Sequence, residues 1–466
     1  MAREGKRKGT SGKGASGSRA KVRLSSTVGL IHEILTEALC REVFRDLRVN
    51  ERERKWALFA LARFWLAVIL DPPPSLAALL ERTRDRPDPC GFLPAVDAEA
   101  EAFYQRARDL SNVFFMALFN RFAQLALPNA PKQYARDLAH LEKKFNDVVI
   151  IDGSRLDKIA HRLKILWPEK AAVLPGCLLA VYDLFRGIAR QILFDADAAS
   201  SEFKRAEMAI ENLEEGSLLL GDRLYCSLEL FRQLTERHCF GLFRRTKTIF
   251  IEKVEKLGHH DLANGGMIED WLVHAGRGPG AVTLRLIRLR NGGKTYEALT
   301  SVLDPKQLSA HDVVALYPRR WAVERLFYDL KIVLKLERFY AANPNAVAMQ
   351  VFAAAIVHTA FRIAQGNIAK KVGFPPEEIS SEKLFPFLAL VSIKRVEAGY
   401  CFVRIQKANP SAQLTEPSWN DLPGTVVSLA YLRVQHRSPK RKRREYDPER
   451  RKWKSITDVE GSEKLT

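Results

Sequence analysis

The chain has 466 residues, of which 47% are hydrophobic and 28% charged, so it is long enough for two or three domains with a large buried core. Its longest apolar stretch, Trp56–Leu70, has 15 residues and contains Arg63, which predicts a buried helix and argues against a membrane span. Six scattered cysteines without a CxxC pair argue against a zinc site and indicate a reducing compartment, and the basic N-terminus lacks the apolar segment of a signal peptide.

Most of the net charge of +19 lies in two terminal segments. Residues 1–24 hold eight Lys or Arg and one Glu, and residues 436–454 hold ten Lys or Arg and three acids, so each segment carries a net +7. The composition of 1–24 predicts a disordered tail. Two basic tails on a mildly basic body indicate a polyanionic partner, either nucleic acid or an anionic membrane. The membrane is the weaker candidate because neither tail has an amphipathic helix beside its charge.

Residues 25–140 show helical periodicity, interrupted by proline-rich breaks at Asp71–Ser75 and Pro87–Cys90. They predict an all-α N-terminal region. Five basic residues near its start are candidate DNA contacts, namely Arg45, Arg48, Arg52, Arg54 and Lys55. Because Glu51 and Glu53 lie among them, an ordinary exposed helix face explains the same pattern equally well.

From residue 147 the pattern changes to short apolar runs. Asp147–Ser154 predicts a buried strand that ends with Asp152, and Gly216–Tyr225 predicts another that ends with Asp222. Between these two strands, residues 176–185 and 187–194 are predicted as two strands of a meander, and residues 200–213 as a helix. After the second strand, residues 227–238 are predicted as a helix and residues 240–247 as a strand. A strand meander followed by a helix and a strand is the order of a ribonuclease-H-like α/β sheet.

A β-rich insertion and two helices are predicted next. Residues 249–304 contain strand-like runs around a turn at Asn291–Lys294. Tyr317–Lys331 predicts a helix with Pro318 in its first turn, and Ala346–Ala364 predicts a core helix. On a wheel of about 100° per residue, the first of these helices carries four polar residues within an arc of roughly 60°: Tyr317, Arg320, Glu324 and Lys331. Alone, this stripe fits a solvated ion-pair face.

Three acids stand where the predicted elements could bring them together: Asp152, Asp222 and Glu324. Converging carboxylates repel one another unless cations neutralise them, and oxygen ligands with substrate phosphate favour Mg²⁺. Two such ions can clamp an in-line phosphoryl displacement, one at the attacking and one at the leaving oxygen. The Arg and Lys beside Glu324 then fit phosphate clamps. The joint pattern predicts metal-dependent phosphoryl transfer.

These residues resemble the DDE transposases of bacterial insertion sequences, of the insertion-sequence-four type. The family signature Y-x2-R-x3-E-x6-K is matched at every spacing by Tyr317, Arg320, Glu324 and Lys331. Asp152–Ser154 resembles the first-acid motif and Gly221–Tyr225 the second, usually Asp-Arg-Gly-Tyr, although Leu224 stands where Gly is common. The family also carries a β-rich insertion between its second Asp and its Glu. The resemblance covers roughly 145–365.

The resemblance implies a transposase that binds the terminal inverted repeats of its own insertion sequence. It would pair two double-stranded DNA ends as a homodimer, cut them with water as the nucleophile, and join the freed 3′-hydroxyls to target DNA. Two Mg²⁺ ions, for which Mn²⁺ can substitute, would be held by Asp152, Asp222 and Glu324. Arg320 and Lys331 would contact phosphates near the scissile bond, and Tyr317 would pack or hydrogen-bond against the strand end. The expected location is the bacterial cytoplasm, in association with the nucleoid.

The predicted organisation is a ribonuclease-H-like α/β catalytic domain at 141–370, with its β-rich insertion, behind an all-α region that binds DNA ends. A C-terminal region at 371–435 and basic tails at 1–24 and 436–466 complete it. Two alternatives stay open. A metal-dependent structure-specific nuclease would share the fold but lack strand transfer. A non-catalytic DNA-binding derivative would be favoured by loss of an acid, and all three acids are present.

Overall fold

The computed structural model describes residues 21–23, 27–47, 54–85, 92–156, 176–197, 200–263, 265–336, 338–341, 343–389, 426–428 and 432–433. Contacts divide the chain into Met1–Arg433 and Val434–Thr466. The basic tail predicted at 436–466 lies outside the described residues, as do residues 1–20 of the other tail and residues 390–425 of the C-terminal region.

Helices make up the described N-terminal part and also flank the sheet. Their bounds are α1 Thr27–Ile34, α2 Glu37–Leu47, α3 Leu58–Leu70, α4 Leu76–Asp85, α5 Ala100–Asp109, α6 Asn112–Ala126, α7 Glu202–Ile210, α8 Leu228–Glu236, α9 Ala310–Leu316, α10 Ala322–Tyr328 and α11 Pro344–Val372. In α3 the predicted apolar stretch is indeed buried, and α3 and α6 pack against α11. These helices therefore share one hydrophobic core with the sheet. The domain boundary that we predicted near residue 140, at the end of the helical N-terminal region, stays a prediction.

The strands form a nine-stranded mixed sheet and a small two-stranded one. Their bounds are β1 Lys21–Arg23, β2 Val148–Arg155, β3 Cys177–Asp183, β4 Ile188–Asp195, β5 Leu218–Gly221, β6 Phe240–Arg244, β7 Ile251–Asp261, β8 Met267–Ala275, β9 Val282–Asn291, β10 Lys294–Thr300 and β11 Val426–Ser428. The order in the large sheet is β4-β3-β2-β5-β6-β10-β9-β8-β7. The strands β2, β3 and β4 form an antiparallel meander, and β5 and β6 are added in parallel to β2. This is the predicted ribonuclease-H-like core.

The two strands that carry the predicted aspartates are adjacent and in matched register. In the parallel pair β2–β5, Ile150 lies opposite Leu220. Asp152 follows Ile150 by two residues and Asp222 follows Leu220 by two residues. The two aspartates therefore lie at the same level, at the carboxyl ends of neighbouring parallel strands.

The insertion continues the core sheet, because β10 pairs antiparallel with β6 and leads on to β9, β8 and β7. Its predicted hairpin turn is confirmed: Gly292 and Gly293 both have positive φ, 54° and 73°, as a two-residue turn with this twist requires. A buried ion pair fixes the insertion, since Arg285 binds Asp270 and also donates to the carbonyls of Val302 and Leu308.

The segment Tyr317–Lys331 is not the single α-helix that its periodicity predicts. The helix α9 begins earlier, at Ala310, where Ser309 and Asp312 form a capping box. A 3₁₀ turn follows at Tyr317–Trp321, then α10, then a π-helical turn at Asp329–Val333. Pro318 lies in the 3₁₀ turn, where its missing N–H and fixed φ are tolerated.

The predicted core helix is confirmed as α11, which is longer than expected. It begins after Asn343, whose side chain accepts hydrogen bonds from two backbone amides, and ends at Gly373 with φ 73°. It is long and apolar enough to cross a membrane, but the apolar part of the helix is wholly buried within the protein, as is typical of a core helix. The bent pair α5–α6 is the other described segment that meets the same length and apolarity.

One short segment contradicts the prediction of a disordered tail over 1–24. Lys21–Arg23 form β1, which pairs antiparallel with β11 so that Lys21 lies opposite Ser428. The prediction of disorder is therefore wrong for Lys21–Arg23, and residues 1–20 lie outside the described residues.

Candidate active site

Asp152 lies near the end of β2, half-buried beneath the segment that carries the signature residues. Its Oδ1 accepts a hydrogen bond of 3.0 Å from the amide of Gly153, and its Oδ2 lies 3.1 Å from Nη1 of Arg320. Burial raises the pKa of Asp152 to about 6, although Arg320 opposes the shift; Asp222 and Glu202 add to it. The acid at this strand end therefore lies within the electric field of two other carboxylates.

Asp222 directly follows β5, and its Oδ1 accepts a hydrogen bond of 2.7 Å from the amide of Leu224. This bond shapes the turn that leads into α8. The side chain of Leu224 is 52% exposed, so the residue that replaces the usual Gly does not crowd the strand end. The next residue, Tyr225, is fully buried.

Three of the four signature residues face the core and the strand end. Lys331 Nζ donates to Ser154 Oγ at 2.7 Å and to the carbonyl of Arg155 at 2.6 Å. Tyr317 is buried, with its ring centroid 4.9 Å from that of Tyr296 on β10. Arg320 is also buried, at 9% exposure, and its Nε has no hydrogen-bond partner among the described residues. The segment therefore places two cationic groups against β2.

Glu324 is placed differently from the other three. It lies on α10 between Arg320 and Lys331 but is exposed, and it forms no ion pair or hydrogen bond with the described residues. Within the described part of the chain, no three His, Cys, Asp or Glu side chains converge closely enough to hold a metal ion. The structure thus brings Asp152 and Asp222 together without bringing Glu324 to them.

Two residues near the site carry no signal that we recognised in the sequence. Glu202, in the first turn of α7, accepts a hydrogen bond of 3.2 Å from the hydroxyl of Tyr225. Trp321 is 58% exposed, with the Arg320 guanidinium carbon 4.7 Å from its ring centroid. Glu202 gives no signal because an acid near the start of a helix is common. Trp321 gives none because only its position next to Arg320 distinguishes it in the sequence.

The chemistry of the two aspartates suits a divalent cation. They offer only oxygen donors, at one level, as Mg²⁺ prefers. In the structure the guanidinium of Arg320 lies 3.1 Å from Asp152 and already neutralises part of the charge at this strand end. The residues at the strand ends therefore fit a metal that neutralises them.

Comparison with known proteins agrees with this geometry. The model of the family described as "Transposase DDE domain" matches residues 143–360. The protein y4zB of Sinorhizobium fredii, a transposase by name, is 30% identical over 156 residues, which are 33% of this chain and 44% of its own. The transposase InsG for insertion sequence element IS4 of Escherichia coli is 25% identical over 196 residues, 39% of this chain and 42% of its own.

A third relative is named as a transposase for insertion sequence element IS4SA of Synechocystis. It is 25% identical over 165 residues, 34% of this chain and 45% of its own. This chain thus spans less than half the length of each of these relatives. Among solved structures, a piggyBac transposase synaptic complex with hairpin DNA aligns over 83% of this chain and 82% of its own, with 12% identity and a TM-score of 0.37, too low to add to the assignment. Residues 143–360 are therefore similar to transposase DDE domains, and the similar proteins include transposases of insertion-sequence-four elements.

Proposed function

We propose that the whole chain is the transposase of an insertion sequence. It binds the terminal inverted repeats of its own element as double-stranded DNA, cleaves the strands in a metal-dependent reaction and transfers them to a target by cut-and-paste transposition. The observation that carries this proposal is the matched level of Asp152 and Asp222 on adjacent parallel strands, beneath the segment Tyr317–Lys331, inside a region similar to transposase DDE domains.

The acids Asp152, Asp222 and Glu324 would hold the cations. Two Mg²⁺ ions, or Mn²⁺ in their place, would activate the attacking oxygen and stabilise the leaving oxygen. For Glu324 to join the aspartates, its exposed side chain must turn toward the strand ends from the next helical turn after Arg320. Its exposure and its lack of described partners leave it free to do so.

The basic residues would hold the DNA phosphate at these strand ends. The buried Nε of Arg320 is a free donor beside Asp152, and the ammonium of Lys331 lies at the end of the same strand. Both can donate charge-assisted hydrogen bonds to phosphate oxygens. Tyr317, packed on Tyr296, would keep Arg320 in position.

The reaction has two phosphoryl-transfer steps. Water attacks the phosphorus at the transposon end, the bond from phosphorus to the 3′-oxygen breaks, and the 3′-oxygen leaves as a hydroxyl. That hydroxyl then attacks a target phosphate, forms a new phosphodiester and displaces a target 3′-oxygen. Both steps require one fixed phosphate position, which Arg320 and Lys331 would supply.

Other parts of the chain would recognise the DNA. The helices between residues 25 and 140 would bind the transposon end, and Arg45, Arg54 and Lys55, which are exposed, are available for phosphate contacts. The basic tails at 1–24 and 436–466 would add contacts that do not depend on base sequence. Synapsis of two ends would use a homodimer, and the protein would work on the nucleoid in the bacterial cytoplasm.

The test uses a DNA fragment that carries both flanks of the coding sequence. The protein is incubated with this fragment and Mg²⁺, with EDTA and Asp152→Ala as controls, and the broken strands are mapped. We expect metal-dependent cuts at two inverted matching sequences and 3′ ends joined to new DNA. Scattered nicking without joining would replace the proposal with a structure-specific nuclease. Tight binding without cutting in any divalent metal would replace it with a non-catalytic DNA-binding protein.

A further inference from the structure

The edge strand β7 carries two lysines on one face because its backbone is bulged. Its pairing with β8 shifts register between Lys253 and Glu255 and again between Lys256 and Gly258. Side chains alternate along a regular strand, so Lys253 and Lys256, three residues apart, would point to opposite faces of the sheet. The first shift inserts one extra residue, Val254, and a bulge of this kind re-aims the side chains that follow it. Both lysines therefore point the same way.

Trp271 on β8 identifies the face that the two lysines share. The Nζ of Lys253 lies 3.8 Å from the centroid of the indole ring, and the Nζ of Lys256 lies 5.7 Å from it. The indole packs on the hydrophobic core that includes Phe231 of α8 and Val273 of β8, so this is the side of the sheet on which α8 lies. Both lysines are exposed. Their ammonium groups therefore reach solvent above the indole ring.

The glutamates of the same strand point to the other side of the sheet. Glu252 lies opposite His274 and Glu255 lies opposite Leu272. Both of these β8 positions are an odd number of residues from Trp271, so their side chains, and those of the glutamates, face away from the indole ring. The strand thus separates its bases from its acids, with the bases on the α8 side.

The two glutamates that do lie on the α8 side are already bound by arginines. Glu297 on β10 lies 2.7 Å from Arg245 and 2.6 Å from Arg288. Glu269 on β8 lies 3.4 Å from Arg288 and 3.6 Å from Arg290. Three arginines therefore share two carboxylates, and the side chain of Arg290 stays 51% exposed.

We refer to this surface, formed by Lys253, Lys256, Trp271, Arg288 and Arg290, as the lysine face. Its exposed cations are Lys253, Lys256 and Arg290. The exposed acid on the same side of the described strands β7–β10 is Asp261, which lies 3.4 Å from His259 at the end of β7. Burial and then the charge of Arg288 and Arg290 lower the pKa of Lys253. The lysine face therefore crowds positive charge that a bound anion would stabilise.

The lysine face lies beside the catalytic strand ends, at a distance that one DNA duplex can span. Register across the sheet places Lys256 one position from the row that contains Asp222. Five strand steps separate β5 from β7, about 24 Å at roughly 4.8 Å per step. About seven base pairs of a duplex cover that distance, at about 3.4 Å each. A duplex with one phosphate at the strand ends can therefore reach the lysine face within one turn of the double helix.

The chemistry of the lysine face suits DNA binding that does not depend on base sequence. Lys and Arg bind phosphate oxygens, and such contacts position a duplex without reading its bases. The aromatic ring of this surface, that of Trp271, lies under the two ammonium groups and is not open to a base. In the proposed function the transposon end is recognised by its sequence, whereas a target need only be held by its backbone. The lysine face fits the target.

We propose that the lysine face binds the phosphate backbone of target DNA during strand transfer. This inference rests on the proposed function, because strand transfer supplies the target duplex. The bulge at Val254 makes the surface possible, since it brings Lys256 beside Lys253. Cleavage of the transposon end does not use this surface.

The test compares the charge-removing double variant Lys253→Gln/Lys256→Gln with two matched double variants. Lys253→Arg/Lys256→Arg keeps the charge, and Glu252→Gln/Glu255→Gln changes the opposite face of the same strand. The full-length protein is incubated with Mg²⁺, a labelled transposon-end duplex and increasing amounts of plasmid target. Cleavage of the end and its joining to the plasmid are measured separately at several salt concentrations.

We expect the charge-removing variant to cleave the end like the wild type and to join it poorly. Because two phosphate contacts are lost, it should need about 10- to 100-fold more plasmid for half-maximal joining at ~0.1 M salt. The slope of log half-saturating plasmid against log salt should fall by about 1.8. The charge-keeping variant should join like the wild type, and Glu252→Gln/Glu255→Gln should not need more plasmid. Thermal unfolding of each variant monitors the fold.

The other outcomes separate this inference from the proposed function. Wild-type joining by the charge-removing variant would show that the lysine face does not hold the target, and the proposed function would stand. Equal loss of cleavage and joining, at an unchanged thermal midpoint, would assign the surface to the transposon end and overturn the inference. If the wild type neither cleaves nor joins, the proposed function fails and the inference fails with it.

Discussion

The neighbouring sequence predicts the position of some site residues in the structure but not of others. Asp152 and Asp222 could be predicted because each ends a short apolar run, and the ends of adjacent parallel strands meet at one sheet edge. Glu202 could not, because its proximity to Asp152 depends on the packing of α7 and on the missing side chain of Gly153. The role of Glu324 as a metal ligand stays a prediction. The signature gives its spacing in the sequence, but its side chain is exposed and makes no contact with the two aspartates in the structure.

Glu324→Gln should abolish cleavage and leave DNA binding almost intact. Loss of one metal-binding carboxylate removes several kcal/mol of transition-state stabilisation, which is a rate loss on the order of 10³-fold. Cleavage of an end duplex and its binding in a gel-shift assay measure the two effects separately. Retained cleavage would remove Glu324 from the metal site.

At the scale of elements, the pattern of apolar residues predicts the strands of the sheet well. It predicts the segment Tyr317–Lys331, which carries the four signature residues, less well. The strands β2, β3 and β4 agree with their predicted bounds within one or two residues, because buried strands show an uninterrupted apolar run. The segment from Tyr317 changes from 3₁₀ to α to π helix because of contacts distant in sequence. Asp329, fully buried in the π turn, pairs with Arg325 four residues before it and accepts a hydrogen bond from Ser381, 52 residues further along the chain. No local pattern encodes the second partner.

His358 on α11 lies beside this π turn, with its Nε2 3.5 Å from Asp329 Oδ2. Burial lowers the pKa of His358 below its usual value, so the folded protein holds it neutral while the unfolded chain protonates it near pH 6.5. Stability therefore falls as the pH drops below about 6.5, and above that pH this residue has no such effect.

His358→Gln should reduce this pH dependence of stability. The drop in thermal midpoint between pH 7.5 and pH 5.5 should be smaller in the variant than in the wild type, because the variant has no imidazole to protonate in the unfolded chain. Asp329, whose pKa is lowered, acts only below about pH 4 and does not confuse the comparison. An equal drop in both proteins would show that His358 titrates normally in the fold.

At the scale of the whole molecule, charge distribution alone indicates a polyanionic partner, and nucleic acid is the stronger candidate. The net charge of +19 is concentrated at the two ends of the sequence, where composition alone is informative. Sequence also predicted the β-rich insertion, but not that it would extend the catalytic sheet. The pairing of β6 with β10 joins residues about 55 positions apart, and strand pairing over such a distance leaves no local signature.

Deleting residues 436–454 should flatten the salt dependence of DNA binding. Removing one Lys or Arg that neutralises a phosphate lowers the slope of log affinity against log salt by about 0.9, and this segment holds ten Lys or Arg. Titration of a random duplex and of an end duplex at several salt concentrations measures the slope, and both should change alike. An unchanged slope would mean that this segment does not touch phosphate.

The continuous nine-stranded sheet has a mechanical consequence. Because Ala298, Leu299 and Thr300 pair with the strand that lies next to β5, the insertion cannot swing as a hinged flap without breaking backbone hydrogen bonds inside the catalytic sheet. Amides of β10 should exchange with deuterated solvent in one cooperative unit with those of β6. Movement of the insertion should therefore be limited to twisting of the outer strands β7 and β8, where the register shifts twice and the backbone yields most easily.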